Sequence, residues 1–69
     1  MRMEHYDLSR SEWENLIDEY IFKERDRAIL KRRLLDGVCF EPLAEEFDLS
    51  VQQTKTIVYR ATEKLIKHI

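Results

Sequence analysis

With 69 residues, one glycine, one proline and one cysteine, the chain has room for a single small domain and is almost unbroken helix-forming material. No run is apolar enough to span a membrane, no signal peptide is visible, and a lone cysteine allows no internal disulfide, a combination that fits a cytoplasmic protein. The formal net charge of −2 argues against a uniformly basic nucleic-acid binder.

That charge is segregated along the chain. Residues 21–36 hold six basic and three acidic groups and residues 51–69 four and one, whereas residues 1–20 hold two and six, and residues 37–50 four acidic groups and no basic one. A local basic face governs attraction to phosphate more than the global sum does.

Ser9…Glu12 and Ser11…Glu14 both have capping-box spacing, which predicts a helix over Arg10–Phe22. Trp13, Leu16, Ile17, Tyr20 and Ile21 then recur at helical spacing as an amphipathic stripe, the mark of a scaffold helix. So much aromatic area in so small a domain raises an alternative, in which Trp13 and Tyr20 form a partner surface or a homodimer interface. A break is expected at Phe22-Lys23, although no glycine or proline enforces it.

Glu24–Leu35 is built of strong helix formers. Leu30 and Leu34 face one way and Ala28 and Leu35 nearly the opposite way, so this helix is expected to be central and contacted from several sides. Lys31, Arg32 and Arg33 fall in its last turns, where cations favour the helix C-terminus and where Arg32 and Arg33 are also candidates to reach DNA phosphate. Asp36-Gly37 is a helix stop, with Gly37 expected left-handed.

Cys39 is a poor helix cap, and with no second thiol its expected role is that of a small buried hydrophobe. Pro42 falls in the first turn of the next helix, where its missing N–H is not needed. Leu43, Ala44 and Phe47 mark this helix over Glu41–Phe47, while Glu41, Glu45, Glu46 and Asp48 make it acidic, suited to solvent or a basic partner protein rather than a phosphate backbone. Phe47 and Leu49 are expected to be core and to pin the following turn; a fully buried Phe47 would make Phe47→Ala cost roughly 3–5 kcal/mol.

Ser50 is placed to cap a last helix over Val51–Lys67. At about 100° per residue, Val51, Thr54, Val58, Ala61, Leu65 and Ile69 share one sector and face the core. Gln52, Thr56, Arg60 and Lys67 lie roughly opposite, Gln53, Tyr59 and Lys64 flank them, and Lys55 lies beside the core sector. No acidic residue occurs from Val51 to Thr62, in a chain otherwise rich in them.

Two helices joined by the short Asp48-Leu49-Ser50 turn form the helix-turn-helix pattern, whose second helix enters the DNA major groove. Asp36-Gly37, then Phe40-Glu41-Pro42-Leu43-Ala44-Glu45-Glu46-Phe47, then Leu49-Ser50-Val51, with Lys55-Thr56-Ile57, Arg60-Ala61 and Lys64-Leu65 following and Glu24 to Leu30 preceding, resemble region 4 of bacterial sigma factors and the small sigma-like regulators related to it. The resemblance covers Glu24 to Leu65, a core of residues 24–67 with residues 1–22 as an added scaffold helix. The chain departs from the family pattern at Cys39, Pro42 and Thr54.

What the resemblance implies is a four-helix all-α domain without a wing, double-stranded DNA as ligand, and RNA polymerase as a second partner. It implies that Gln52, Gln53, Lys55, Thr56 and Arg60 approach bases or backbone, with Tyr59 beside them. The length suits a small stand-alone regulator, phage-derived or otherwise, and equally a domain of a longer protein; the start at Met1 favours the former.

No enzyme is expected. Ser-His-Asp sets, paired His and carboxylate groups, and glycine-rich phosphate loops are all missing from the sequence. His5 and His68 lie at opposite ends with no metal-ligand spacing, and neither metal nor cofactor is implied. The competing class is a protein-interaction module that docks on RNA polymerase or another partner through the aromatic first helix and the acidic third.

Overall fold

Ser9 starts the first helix as expected: its hydroxyl accepts from the Glu12 N–H and its own N–H donates to the Glu12 carboxylate, a complete capping box. In the computed structural model, which describes residues 8–68, four α-helices follow, α1 (Arg10–Tyr20), α2 (Glu24–Leu34), α3 (Phe40–Glu46) and α4 (Val51–Ile66), with no strand among those residues. The all-α expectation holds, and every helix end falls within two residues of its predicted place. His5 and Ile69, the latter expected on the core sector of the last helix, lie outside the described residues.

The break after α1 has a physical cause that composition does not reveal. Ile21 turns extended (φ −109°, ψ 114°) and stays buried. The Arg27 guanidinium reaches back from α2 to accept no bond but donate two, from Nη2 to the Asp18 carbonyl at 2.7 Å and from Nε to the Ile21 carbonyl. A cation on the last carbonyls of α1 satisfies orphan acceptors and complements the helix dipole. Lys31 adds an ion pair to Asp18 at 2.8 Å, so α2 holds the end of α1 at two points.

α2 is central, as its multi-sided apolar pattern predicts. Ile29 and Leu30 are wholly buried, and α2 packs against all three other helices, as does α4. The core joins Trp13, Ile17 and Ile21 to Ile29, Leu30, Leu43, Val58, Ala61 and Leu65. Trp13 is 1% exposed, so the aromatic stripe of α1 is consumed by the domain itself and offers no dimer surface through Trp13. Tyr20 is half-buried and stacks on His68, ring centroids 3.7 Å apart, which seats the C-terminal turn against α1.

Two buried polar side chains lie in the core sector of α4. Thr54 donates its hydroxyl to the Ser50 carbonyl at 2.9 Å and Thr62 donates to the Val58 carbonyl at 2.6 Å, so neither brings an unsatisfied group into the core. The chain's departure from an aliphatic residue at Thr54 is thereby accommodated.

Gly37 takes the expected left-handed conformation (φ 69°). The next helix stop uses Asp48, also left-handed (φ 56°). The Leu49 N–H donates to the Ala44 carbonyl at 2.9 Å and the Asp48 N–H to the Glu45 carbonyl at 3.2 Å, the bond pair of a Schellman motif. Aspartate is among the few non-glycine residues that visit this conformation routinely.

Two sequence expectations are corrected here. Cys39 caps α3 with extended backbone and no side-chain hydrogen bond, and it is exposed rather than buried, because a cap residue sits outside the helix whose inner side the core covers. Phe47 and Leu49 pack against the core but are only half-buried, since they occupy the turn at its edge.

At the surface, Arg32 forks onto Glu46 (2.8 Å) and pairs with Asp36 (3.3 Å), which also meets Arg10 (3.0 Å). This network ties the start of α1, the end of α2 and the end of α3. Its members are solvent-exposed, so it orients the helices more than it stabilises them.

Trp13→Ala should cost roughly 3–5 kcal/mol, most of what a domain of this size has, whereas Phe47→Ala at its half-buried site should cost roughly 1–2 kcal/mol. Urea unfolding of both variants ranks them; a Phe47→Ala protein less stable than Trp13→Ala would overturn this account of the core.

The Arg10 guanidinium, and then Arg32, hold the Asp36 carboxyl below its ordinary range, and the Ser9 backbone N–H, and then its hydroxyl, do the same for Glu12. Carboxylates depressed on folding favour the native state above their unfolded titration range and lose that contribution as pH falls through it. Melting temperature should therefore decline as pH drops below about 4.5, and decline less steeply in a Glu12→Gln/Asp36→Asn variant.

Candidate nucleic-acid interface

The first turns of α4 carry the residues expected to meet DNA, and their cap is fixed by short-range chemistry. The Ser50 hydroxyl accepts from the Gln53 N–H at 3.0 Å while the Gln53 side-chain oxygen accepts from the Ser50 N–H at 3.0 Å. This capping box was only half visible in the sequence, where Ser50 was expected and the role of Gln53 was not. With its carbonyl drawn back to the cap, Gln53 has one lone pair and its orientation committed to Ser50, and it is less free than Gln52 to turn both amide groups to adenine. Gln52 is exposed beside it with no such engagement.

Thr56 donates its hydroxyl to the Gln52 carbonyl at 3.0 Å, which leaves its oxygen able to accept, and the side chain is partly exposed. Arg60 is exposed one turn further along, and Tyr59 is 56% exposed. α4 therefore has one side sunk in the core and the opposite side lined by amide, hydroxyl, phenol and guanidinium groups.

Cations stand along both flanks of that outward face. On one flank Phe40 is the hub: the Arg33 guanidinium lies 4.3 Å over its ring, Lys55 Nζ lies 5.7 Å from the ring centre, and Tyr59 meets it edge-on at 6.0 Å. Arg33 also donates to the Val38 carbonyl at 3.1 Å, so its head group is positioned rather than free to roam. These contacts place Arg33, Lys55 and Tyr59 together around Phe40. Arg32 is not brought to this cluster; its guanidinium is taken up by Glu46 and Asp36.

The other flank adds two residues that the sequence did not single out, Lys23 and Arg25. A shallow groove of about 500 Å³ separates the α1–α2 corner from α4, and Lys23, Arg25, Arg60 and Lys64 line it. Arg25 also borders a shallow recess beside Gln52, Gln53 and Thr56. Lys23 and Arg25 precede α4 by more than a helix, and only the packing of α2 across α4 brings them here. The net positive charge of residues 21–36 was the one signal pointing to them.

No helix among the described residues is long and apolar enough to cross a membrane. Comparison with known protein families, with characterised proteins and with solved structures gives no significant match.

The capping box separates the two glutamines by a measurement of stability alone. Gln53→Ala should lower unfolding stability by roughly 0.5–1 kcal/mol through loss of the reciprocal cap, and Gln52→Ala should leave it unchanged. Equal effects of the two substitutions in urea titrations would remove the structural role assigned to Gln53.

Proposed function

We propose that this chain binds double-stranded DNA sequence-specifically, with α3 and α4 acting as a helix-turn-helix and α4 as the helix that enters the major groove, in the regulation or initiation of transcription. The observation that carries this reading is the outward face of α4: Gln52, Thr56, Tyr59 and Arg60 present polar and cationic groups in succession, with no carboxylate before Glu63 and cations on both flanks. The resemblance to sigma region 4 supports the same assignment.

In this reading Gln52 pairs with a base edge, adenine being the partner an amide matches in two places. Thr56 contacts a base through its oxygen or methyl group, and Gln53, held by the cap, lies beside them. Lys55, Arg60 and Arg33 hold phosphates, and Tyr59 lies beside them. Arg32 is left out, because its carboxylate partners already satisfy it.

A second reading keeps one observation in its favour. Glu41 and Glu45 are exposed on α3, an acidic surface that fits a basic patch on a partner such as RNA polymerase. Trp13 contributes nothing to that surface, because it is buried.

Selection of bound sequences from a random duplex pool, at stated salt, supplies the site for the test. On that site Gln52→Ala should cost roughly 1–3 kcal/mol and relax choice at one base pair. Lys55→Ala should weaken specific and non-specific binding alike and lower the salt slope by about one. A protein with no salt-sensitive duplex binding at low ionic strength would refute the proposal and leave the acidic α3 surface as the site to pursue.

A further inference from the structure

The groove between the α1–α2 corner and α4 is lined by the cations Lys23, Arg25, Arg60 and Lys64 against a single carboxylate, Asp26. Asp26 is paired with Arg25 at 3.4 Å, and Lys23, Arg60 and Lys64 have no salt bridge among the described residues. Four cations against one carboxylate leave a local excess of positive charge, so the arrangement is poised for an external anion.

Phe22 adds a different kind of group at the same place. It is 78% exposed, and its ring lies 5.9 Å from Lys64 Nζ at the edge of the groove. Its neighbour Ile21 is buried, so the corner is anchored while the Phe22 ring is held out in solvent.

We infer that this groove is a second contact surface for DNA, seating the sugar–phosphate backbone of one strand while α4 occupies the adjacent major groove. Lys23, Arg25 and Lys64 contact successive phosphates and Phe22 packs on a deoxyribose. The backbone of a nucleic acid offers both components, repeated anions with apolar sugar faces between them, whereas a free inorganic anion has no use for the phenyl ring. The groove opens to solvent on one side, so an extended strand can lie along it. Arg25 joins the two surfaces, since it borders both this groove and the recess beside Gln52 and Thr56. The inference rests on the duplex-binding reading of α4 and extends the site to the α1–α2 corner.

The test is a salt titration of binding by fluorescence anisotropy, on the selected duplex and on a scrambled one, with the full chain and a Lys23→Gln/Arg25→Gln variant. Both substituted residues are exposed, and the variant's melting temperature is checked first. The slope of log affinity against log salt should fall by about two, and both duplexes should lose affinity by the same factor, because phosphate contacts carry no sequence information. Lys23→Arg/Arg25→Lys, which keeps both charges, should restore the parent slope.

An unchanged slope in the Gln variant, with Gln52→Ala still relaxing site choice, overturns the groove and leaves the α4 reading standing. Absence of salt-sensitive duplex binding by the parent protein overturns both. Polyglutamate serves as the acidic-protein comparison: if its binding depends on Lys23 and Arg25 while duplex binding does not, the groove takes an acidic polypeptide and the inference is wrong.

Discussion

Thr54, Val58, Ala61, Thr62 and Leu65 share one side of α4, and the other helices are arranged to keep that side out of water. α1 and α2 have 11 residues each and α3 has 7, too short to be stable helices alone. Their order comes from packing, and α4 together with α2 supplies the surface on which all of them meet. Once α4 is seated in this way its rotation about its own axis is fixed. Gln52, Thr56 and Arg60 then face solvent because their opposite numbers are buried, so the core chooses which side chains remain available for recognition.

The turn before α4 fixes the second degree of freedom, the direction in which that helix sets off. The Schellman bonds that close α3 end at the Leu49 N–H, and the capping box that opens α4 begins at the next residue, Ser50. Leu49 packs against the core, so the connection has little room to pivot. The residues assigned to base reading lie in the two turns immediately after this joint. A site on a helix whose cap and core contacts are both satisfied loses little conformational freedom on binding, which favours affinity and specificity together.

Helix positions were legible in the sequence because apolar spacing and caps are local properties. Ser9, Ser50, Gly37 and the sector of α4 all behave as their neighbours in sequence suggest. What was not legible depends on distance in the chain. The stop after Tyr20 needs Arg27 to reach back from α2, and no local signal names that contact. The reading of Cys39 as buried failed because a cap position looks apolar by residue type while lying outside the helix it begins. Arg32 and Arg33 are adjacent and alike in sequence, yet one is held by Glu46 and Asp36 and the other lies over Phe40 beside α4. The Lys23 and Arg25 flank of the interface was hidden for the same reason, being assembled only when α2 crosses α4.

The segregation of charge gives the proposed binding mode a direction. In a helix-turn-helix the first helix ordinarily crosses the phosphate backbone. In the proposed arrangement that helix is α3, and its exposed Glu41 and Glu45 would be repelled by phosphates lying against them. Arg32 draws Glu46 toward α2 and away from this exposed side, which reduces the repulsion without abolishing it. The cations lie elsewhere, at Arg33 and Lys55 around Phe40 and at Lys23, Arg25, Arg60 and Lys64 along the opposite flank of α4. In the proposed binding mode a duplex would be attracted along both flanks of α4 and repelled by the outer side of α3. The net charge of −2 is then no obstacle to the proposed binding, since residues 51–62 of α4 carry no carboxylate and its flanking cations outnumber the acidic groups beside them.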